Sequence, residues 1–109
     1  MSNKQLVVYG RSVGCPDLVR TQRFLHTNNI GYTQINIDED EAAGSRVEAW
    51  VGHRSVPTVV VATADPAVPI SEPAPLPAGR SARSFDRGTL ITEPSDEALR
   101  TFLTRNELI

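Results

Sequence analysis

Short apolar runs separated by amphipathic stretches predict that strands and helices alternate along this chain. Strands are expected at residues 5–10, 32–37, 55–62 and 88–92, where β-branched and aromatic residues concentrate or apolar and polar residues alternate. Helices are expected from Cys15 to about Asn28, from the acidic run at Asp38 to about Val51, and from a Ser95 N-cap onward. In the first helix the spacing predicts that Leu18, Val19, Leu25 and, in part, Phe24 face inward.

Residues 63–87 interrupt this alternation. They contain five of the chain's eight prolines and few large side chains, so they can continue neither a helix nor a strand ladder. We interpret them as a mobile insertion before the last strand. The order of elements predicts a single α/β domain over residues 1–109, with a four-stranded, partly parallel sheet flanked by three helices. The last strand follows a non-helical connection and can therefore turn back antiparallel.

Composition excludes several classes of function. The chain has 109 residues, 39% of them apolar and 22% charged, with a formal charge of −2, so no basic character favours a nucleic-acid partner. No apolar run approaches the roughly 18–20 residues of a membrane-spanning helix. The first residues lack the apolar stretch of a signal peptide. We therefore expect a cytoplasmic protein without a membrane partner.

Cys15 is the only cysteine in the chain, which excludes an intrachain disulfide and any multi-cysteine metal site. The acidic run at residues 38–41 is explained by favourable charge at a helix N-terminus, so we expect no metal site. Cys15 itself lies between the first strand and the first helical turn. The unpaired N–H groups and the dipole of that turn favour the thiolate. Arg11 could add positive charge there, whereas Asp17 opposes it.

Pro57 is the second candidate feature. A proline that enters a sheet removes a hydrogen-bond donor and belongs at an edge or a first position. If the Val56–Pro57 bond is cis, Val56 can offer its free N–H and C=O groups to an extended peptide. An ordinary trans proline at the start of a strand is the alternative.

Together these segments resemble the glutaredoxins, thioredoxin-fold proteins that exchange thiols and disulfides. The resemblance rests on Tyr9-Gly10-x₄-Cys15-Pro16 as the active-site loop, on Ser55-Val56-Pro57-Thr58 as the Thr-Val-Pro segment, and on the second strand. It implies a thioredoxin-like fold and a cis proline that faces the thiolate. The Thr92-Glu93-Pro94-Ser95 turn is more similar to that of actinobacterial mycoredoxin-like members than to the Gly-Gly turn of glutathione-binding ones.

The chain also departs from the family pattern. Leu18 stands where the second cysteine of Cys-x-x-Cys would be, so a dithiol mechanism through that position is impossible. The loop before Cys15 is one residue longer than usual. Glu93-Pro94 removes N–H donors and adds negative charge where the γ-glutamyl carboxylate of glutathione would dock, which puts glutathione itself in doubt.

Two hypotheses follow. In the first, Cys15 is the catalytic nucleophile of a monothiol glutaredoxin-like oxidoreductase that acts on mixed disulfides between proteins and a small thiol. No cofactor is tightly bound, and glutathione or a mycothiol-like thiol is the co-substrate. The residues expected to bind substrate are Arg11, Pro16, Arg54, Val56, Pro57 and Ser95. In the second, the chain is a non-catalytic thioredoxin-fold module that binds another protein. Bridging of an iron–sulfur cluster is a third possibility, but Asp17-Leu18 do not match the Cys-Gly-Phe-Ser loop of proteins that do so.

Overall fold

The fold is taken from a computed structural model that describes residues 4–13 and 15–109. The amino-terminal residues 1–3, used above in the argument on targeting, and Gly14 of the active-site loop lie outside the described residues. The strands are β1 (Gln5–Gly10), β2 (Thr33–Asn36), β3 (Thr58–Ala62) and β4 (Leu90–Thr92), and the helices are α1 (Pro16–Thr27), α2 (Glu41–Val51) and α3 (Asp96–Arg105).

The four strands form one mixed sheet in the order β2-β1-β3-β4. β1 runs parallel to β2, and β3 runs antiparallel to both β1 and β4. This architecture is the α/β, thioredoxin-like arrangement expected from the sequence, with three helices around four strands. The sheet is partly parallel, and β4 turns back antiparallel as its non-helical connection predicted. The antiparallel register pairs Tyr9, near the end of β1, with Thr58, the first residue of β3. The loop that leads to Cys15 and the Val56–Pro57 segment therefore adjoin the sheet on the same side.

The alternation of side chains along the strands divides the core into two clusters. One lies on the face covered by α1 and α3, and includes the fully buried Leu25, Leu99 and Phe102. The other lies under α2 and includes Tyr9 and Val47. Both faces of the sheet are therefore covered, which explains why all five residues of β3 are buried.

Helices α2 and α3 each begin at an N-cap residue of the kind that the sequence predicted. Ser95 is the N-cap of α3, and its side chain accepts a hydrogen bond from Ala98 N–H. Asp40 caps α2 in the same way, so the acidic run acts at a helix N-terminus as predicted. The expected inward orientation of Val19 is wrong. Its side chain is 43% exposed, because the buried stripe of α1 passes through Leu18, Thr21, Phe24 and Leu25 instead.

The proline-rich insertion is hydrogen bonded to the domain at several points. Ile70 N–H donates to Val61 O, and Thr89 Oγ1 donates to Ser71 O. Arg87 is buried, and its guanidinium donates to the carbonyl groups of Ala74 and Trp50. The insertion therefore contacts the rest of the domain through Ile70, Ser71 and Arg87, while its mobility stays a prediction.

Within the described part of the chain, no helix is long and apolar enough to cross a membrane.

The packing predicts a contrast between two truncations. Leu99→Ala removes a fully buried side chain from the α1–α3 face and should lower the free energy of unfolding by about 2–5 kcal/mol. Val19→Ala changes an exposed side chain and should cost less than about 0.5 kcal/mol. Urea denaturation followed by circular dichroism measures both. Equal losses would contradict the assignment of Val19 to the surface.

Candidate active site

Cys15 is the N-cap of α1, with an extended backbone and Pro16 immediately inside the helix. Its carbonyl group accepts the first helical hydrogen bond, from Val19 N–H at 2.9 Å. The thiol is free and half-buried, and it packs at the margin of the core under α1 and α3. The sulfur is therefore held at the beginning of a helix without being enclosed in the core.

The Val56–Pro57 segment lies directly opposite the sulfur. Cys15 Sγ is 3.9 Å from Val56 O, and the Val56–Pro57 bond is cis, as the resemblance implied. Among the described residues, Val56 N–H donates to no acceptor. The carbonyl group of Pro57 accepts from Glu93 N–H at 2.7 Å, which ties this segment to the turn before α3. A peptide unit with an unused N–H thus stands beside the thiol.

A shallow surface groove of about 500 Å³ opens onto the thiol. Its lining consists of Cys15, Pro16, Val19, Arg20 and Arg23. Pro16 and Val19 make part of it apolar, whereas the two arginines bring positive charge. The exposure of Val19, which the sequence pattern did not predict, is thus a property of this groove.

The two arginines proposed from the sequence occupy different environments. Arg11 donates to the carbonyl group of Arg54 at 2.8 Å and forms an ion pair with Asp38 at 3.3 Å, so it lies along the segment that leads into Val56. The Arg54 guanidinium instead pairs with Glu41 and Glu48 of α2 at 2.6 and 3.0 Å. Arg11 therefore lies near the Val56–Pro57 segment. The Arg54 guanidinium is instead paired with carboxylates of α2.

Asp17 is neutralised by two arginines. Arg83, from the insertion, donates to both of its carboxylate oxygens at 2.8 and 3.0 Å, and Arg20 forms a pair with it at 2.7 Å. The hydrogen bonds and charge of Arg83 and Arg20 hold the pKa of Asp17 below its ordinary value despite partial burial. Arg83 also pairs with Glu93 in the turn before α3. Asp17 and Glu93, the two acidic residues that depart from the family pattern, therefore both pair with the Arg83 guanidinium.

Ser84, the insertion residue that follows Arg83, is hydrogen bonded to the turn before α3. Ser84 N–H donates to Thr92 O at 2.8 Å, and Ser84 Oγ accepts from Ser95 N–H at 3.0 Å. Ser95, predicted from the sequence to bind substrate, therefore has its side chain engaged in capping and its N–H engaged with the insertion.

Sequence reasoning missed the roles of Arg83 and Ser84. Arg83 and Asp17 are 66 residues apart, and no spacing rule connects an insertion to the first helix. The only signal in the sequence was that the three arginines of the insertion, at positions 80, 83 and 87, lie close together at its C-terminal end. Both histidines, His26 and His53, are exposed.

A half-buried cysteine at a helix N-terminus, opposite a cis prolyl segment on a β-α-β sheet, defines the class of thioredoxin-fold thiol proteins. The glutaredoxin family model matches residues 6–63, more than half of the chain. The chain therefore belongs to the glutaredoxin family, a family of thiol–disulfide oxidoreductases. No curated protein is similar enough to the chain to count as a match.

Glutaredoxins typically use glutathione-like thiols as co-substrates and bind no cofactor tightly. No group of three or more His, Cys, Asp or Glu side chains within residues 4–13 and 15–109 is arranged to hold a metal ion.

The ion pairs of Asp17 predict a pH-dependent contribution to stability. Because the pKa of Asp17 is lower in the folded than in the unfolded state, its carboxylate stabilises the fold above about pH 4. That contribution is lost as the pH falls through the folded-state pKa. Asp17→Asn should lower the free energy of unfolding by about 0.5–1 kcal/mol at pH 7, with the difference vanishing near pH 2. Urea titrations at both pH values measure it, and a difference that persists unchanged at low pH would contradict the ion pairing.

Proposed function

We propose that the protein is a monothiol oxidoreductase that reduces mixed disulfides between proteins and a small thiol, with Cys15 as the nucleophile. The observation that carries this proposal is the position of the half-buried Cys15 sulfur, 3.9 Å from Val56 O and open to a groove. A cysteine that served only as packing would need neither the groove nor the adjacent peptide edge.

The reaction consists of two thiol–disulfide exchanges. The Cys15 thiolate attacks the small-thiol sulfur of the mixed disulfide, a new S–S bond forms, and the protein thiolate leaves with the electron pair of the broken bond. A second small thiol, as its thiolate, then attacks the disulfide on Cys15. This step releases a small-molecule disulfide and restores the Cys15 thiolate, since the chain has no other cysteine to resolve the intermediate.

Substrate binding is proposed to use the unpaired Val56 N–H together with the Val56 carbonyl, in the manner of strand addition. Pro16 and Pro57 would limit the approach to the sulfur, and Arg11 would attract a carboxylate from the segment preceding Val56. Arg54 is the weaker candidate, because Glu41 and Glu48 already neutralise its charge. Ser95 could contribute its N–H only if Ser84 moved away.

The co-substrate is proposed to be a glutathione- or mycothiol-like thiol, and the partners are proteins that carry it in a mixed disulfide. In the turn before α3, the Glu93 carboxylate accepts a hydrogen bond from Arg83, and the Ser95 N–H donates one to Ser84. These bonds favour a thiol that binds without hydrogen bonds to this turn. A single, unpaired reactive thiol suits a reducing compartment such as the cytoplasm.

Removal of the sulfur nucleophile is the direct test. Cys15→Ser should reduce the rate of mixed-disulfide reduction to the uncatalysed background, because a serine hydroxyl is not ionised near neutral pH. The assay follows release of reduced protein from glutathione and mycothiol mixed disulfides. Thr27→Ala, at the exposed far end of α1, is the control and should retain full activity. Equal rates for the wild type and Cys15→Ser would reject the mechanism.

The accessibility of the sulfur separates the proposed enzyme from a non-catalytic binding module. We expect iodoacetamide to label Cys15 in the folded protein, because the thiol is half-buried and lines an open groove. The rate constants of the folded and the urea-unfolded protein are compared by mass spectrometry. Labelling that occurs only after unfolding would favour the binding module.

A further inference from the structure

The insertion places one arginine between two carboxylates at the edge of the active site. Arg83 Nη1 donates to Asp17 and to Glu93, and Nη2 donates to the second oxygen of Asp17. Asp17 belongs to the first turn of α1, two residues after the sulfur, whereas Glu93 belongs to the turn that bonds to Pro57. The guanidinium therefore bridges the two elements that flank the candidate active site.

The backbone beside Arg83 is fixed independently of these ion pairs. Residues 80–85, which we call the strap, run alongside the end of β4, with Arg83 and Thr92 paired as a parallel bridge. Ser84 N–H donates to Thr92 O, and Phe85 N–H donates to Ala82 O. The backbone that carries Arg83 is thus held beside β4 by hydrogen bonds that do not involve the two carboxylates.

Arg83 supplies one of three positive charges around the sulfur. Asp17 and Glu93 pair with Arg83 and Arg20, and both Arg20 and Arg23 line the groove. Asp96, 4.0 Å from Arg20 Nε, adds a third carboxylate at the outer side, so these six groups together carry no net charge. Without Arg83, their net charge would be −1.

We propose that Arg83 is a specificity-determining residue that keeps the Cys15 groove open to negatively charged disulfides, which Asp17 and Glu93 would otherwise repel. Of the two co-substrates proposed above, this role of Arg83 favours the anionic, glutathione-like one over the uncharged, mycothiol-like one. This inference rests on the proposed function, because it concerns the substrates of the same sulfur, but it can be tested without enzymatic turnover.

The test uses three methanethiosulfonate reagents that are similar in chemistry and differ in charge: sulfonatoethyl (anionic), methyl (neutral) and trimethylammonioethyl (cationic). The Cys15 thiolate attacks the sulfenyl sulfur, a mixed disulfide forms, and methanesulfinate leaves with the electron pair. A unit charge at about 8 Å in water changes the rate constant of a singly charged reagent by roughly twofold, because it changes the reagent's local concentration. Arg83→Gln should therefore slow the anionic reagent and accelerate the cationic one, each about twofold, and leave the neutral one unchanged.

The cation-to-anion rate ratio should thus rise about fourfold at low salt and fall back towards the wild-type value at about 0.5 M salt. Arg83→Lys keeps the charge and should retain the wild-type ratio. Arg80→Gln removes an arginine that lies over the Phe85 ring in the same strap, and should also leave the ratio unchanged. Glu93→Gln should shift the ratio in the opposite direction, which provides a second test if Arg83→Gln fails to fold.

A uniform change for all three reagents would show that Arg83 only anchors the strap, and it would overturn the proposal. So would an unchanged ratio, or a lysine variant that behaves like the glutamine variant. A charge-dependent ratio without any reduction of mixed disulfides would support the role of Arg83 and reject the proposed enzymatic function instead. The two proposals can therefore fail separately.

Discussion

The position of the Cys15 sulfur depends on the close approach of α1 to the end of β1. A Cβ atom on Gly10 would lie 2.9 Å from Leu18 Cδ2, so any larger residue at position 10 would force the Leu18 side chain to move. Leu18 is buried on that face, and its place in the first turn fixes where the helix begins. Because Cys15 is the N-cap, the same packing contact that buries Leu18 also presents the thiol to the Val56 carbonyl. The geometry of the site is therefore a consequence of core packing.

Features determined by local sequence were predictable. The Ser95 cap and the acidic start of α2 each depend on residues within one helical turn. The pairing of Cys15 with the Val56–Pro57 segment could be predicted only through the family resemblance, since the two lie 41 residues apart. Val19 was misplaced because apolar spacing cannot distinguish the core face of a helix from an apolar groove at its edge. The contacts of Arg83 were not predictable at all, because they depend on the path of an insertion that has no periodicity.

The insertion contributes a positive charge to the electrostatics of the candidate site. Replacement of a Gly-Gly turn by Glu93-Pro94 would leave an unmatched negative charge, and Asp17 would add a second. One guanidinium, supplied from elsewhere in the chain, compensates for both. Such exposed pairs contribute little to stability, so their value lies in the local potential that an approaching ion experiences. The charges of Asp17, Arg83 and Glu93 therefore offset one another, and a change at one position alters the effect of the other two.

The order of the strands also limits self-association of the protein through its sheet edges. β2 forms one border of the sheet and is only four residues long, with Thr33 and Gln34 exposed. At the opposite border, the bridge between Arg83 and Thr92 covers the end of β4. Long, flat, uncovered borders invite intermolecular β-pairing and fibrous aggregates. A brief polar strand on one side and a covered strand on the other leave little backbone for such pairing, although both faces of the sheet are rich in valine and leucine.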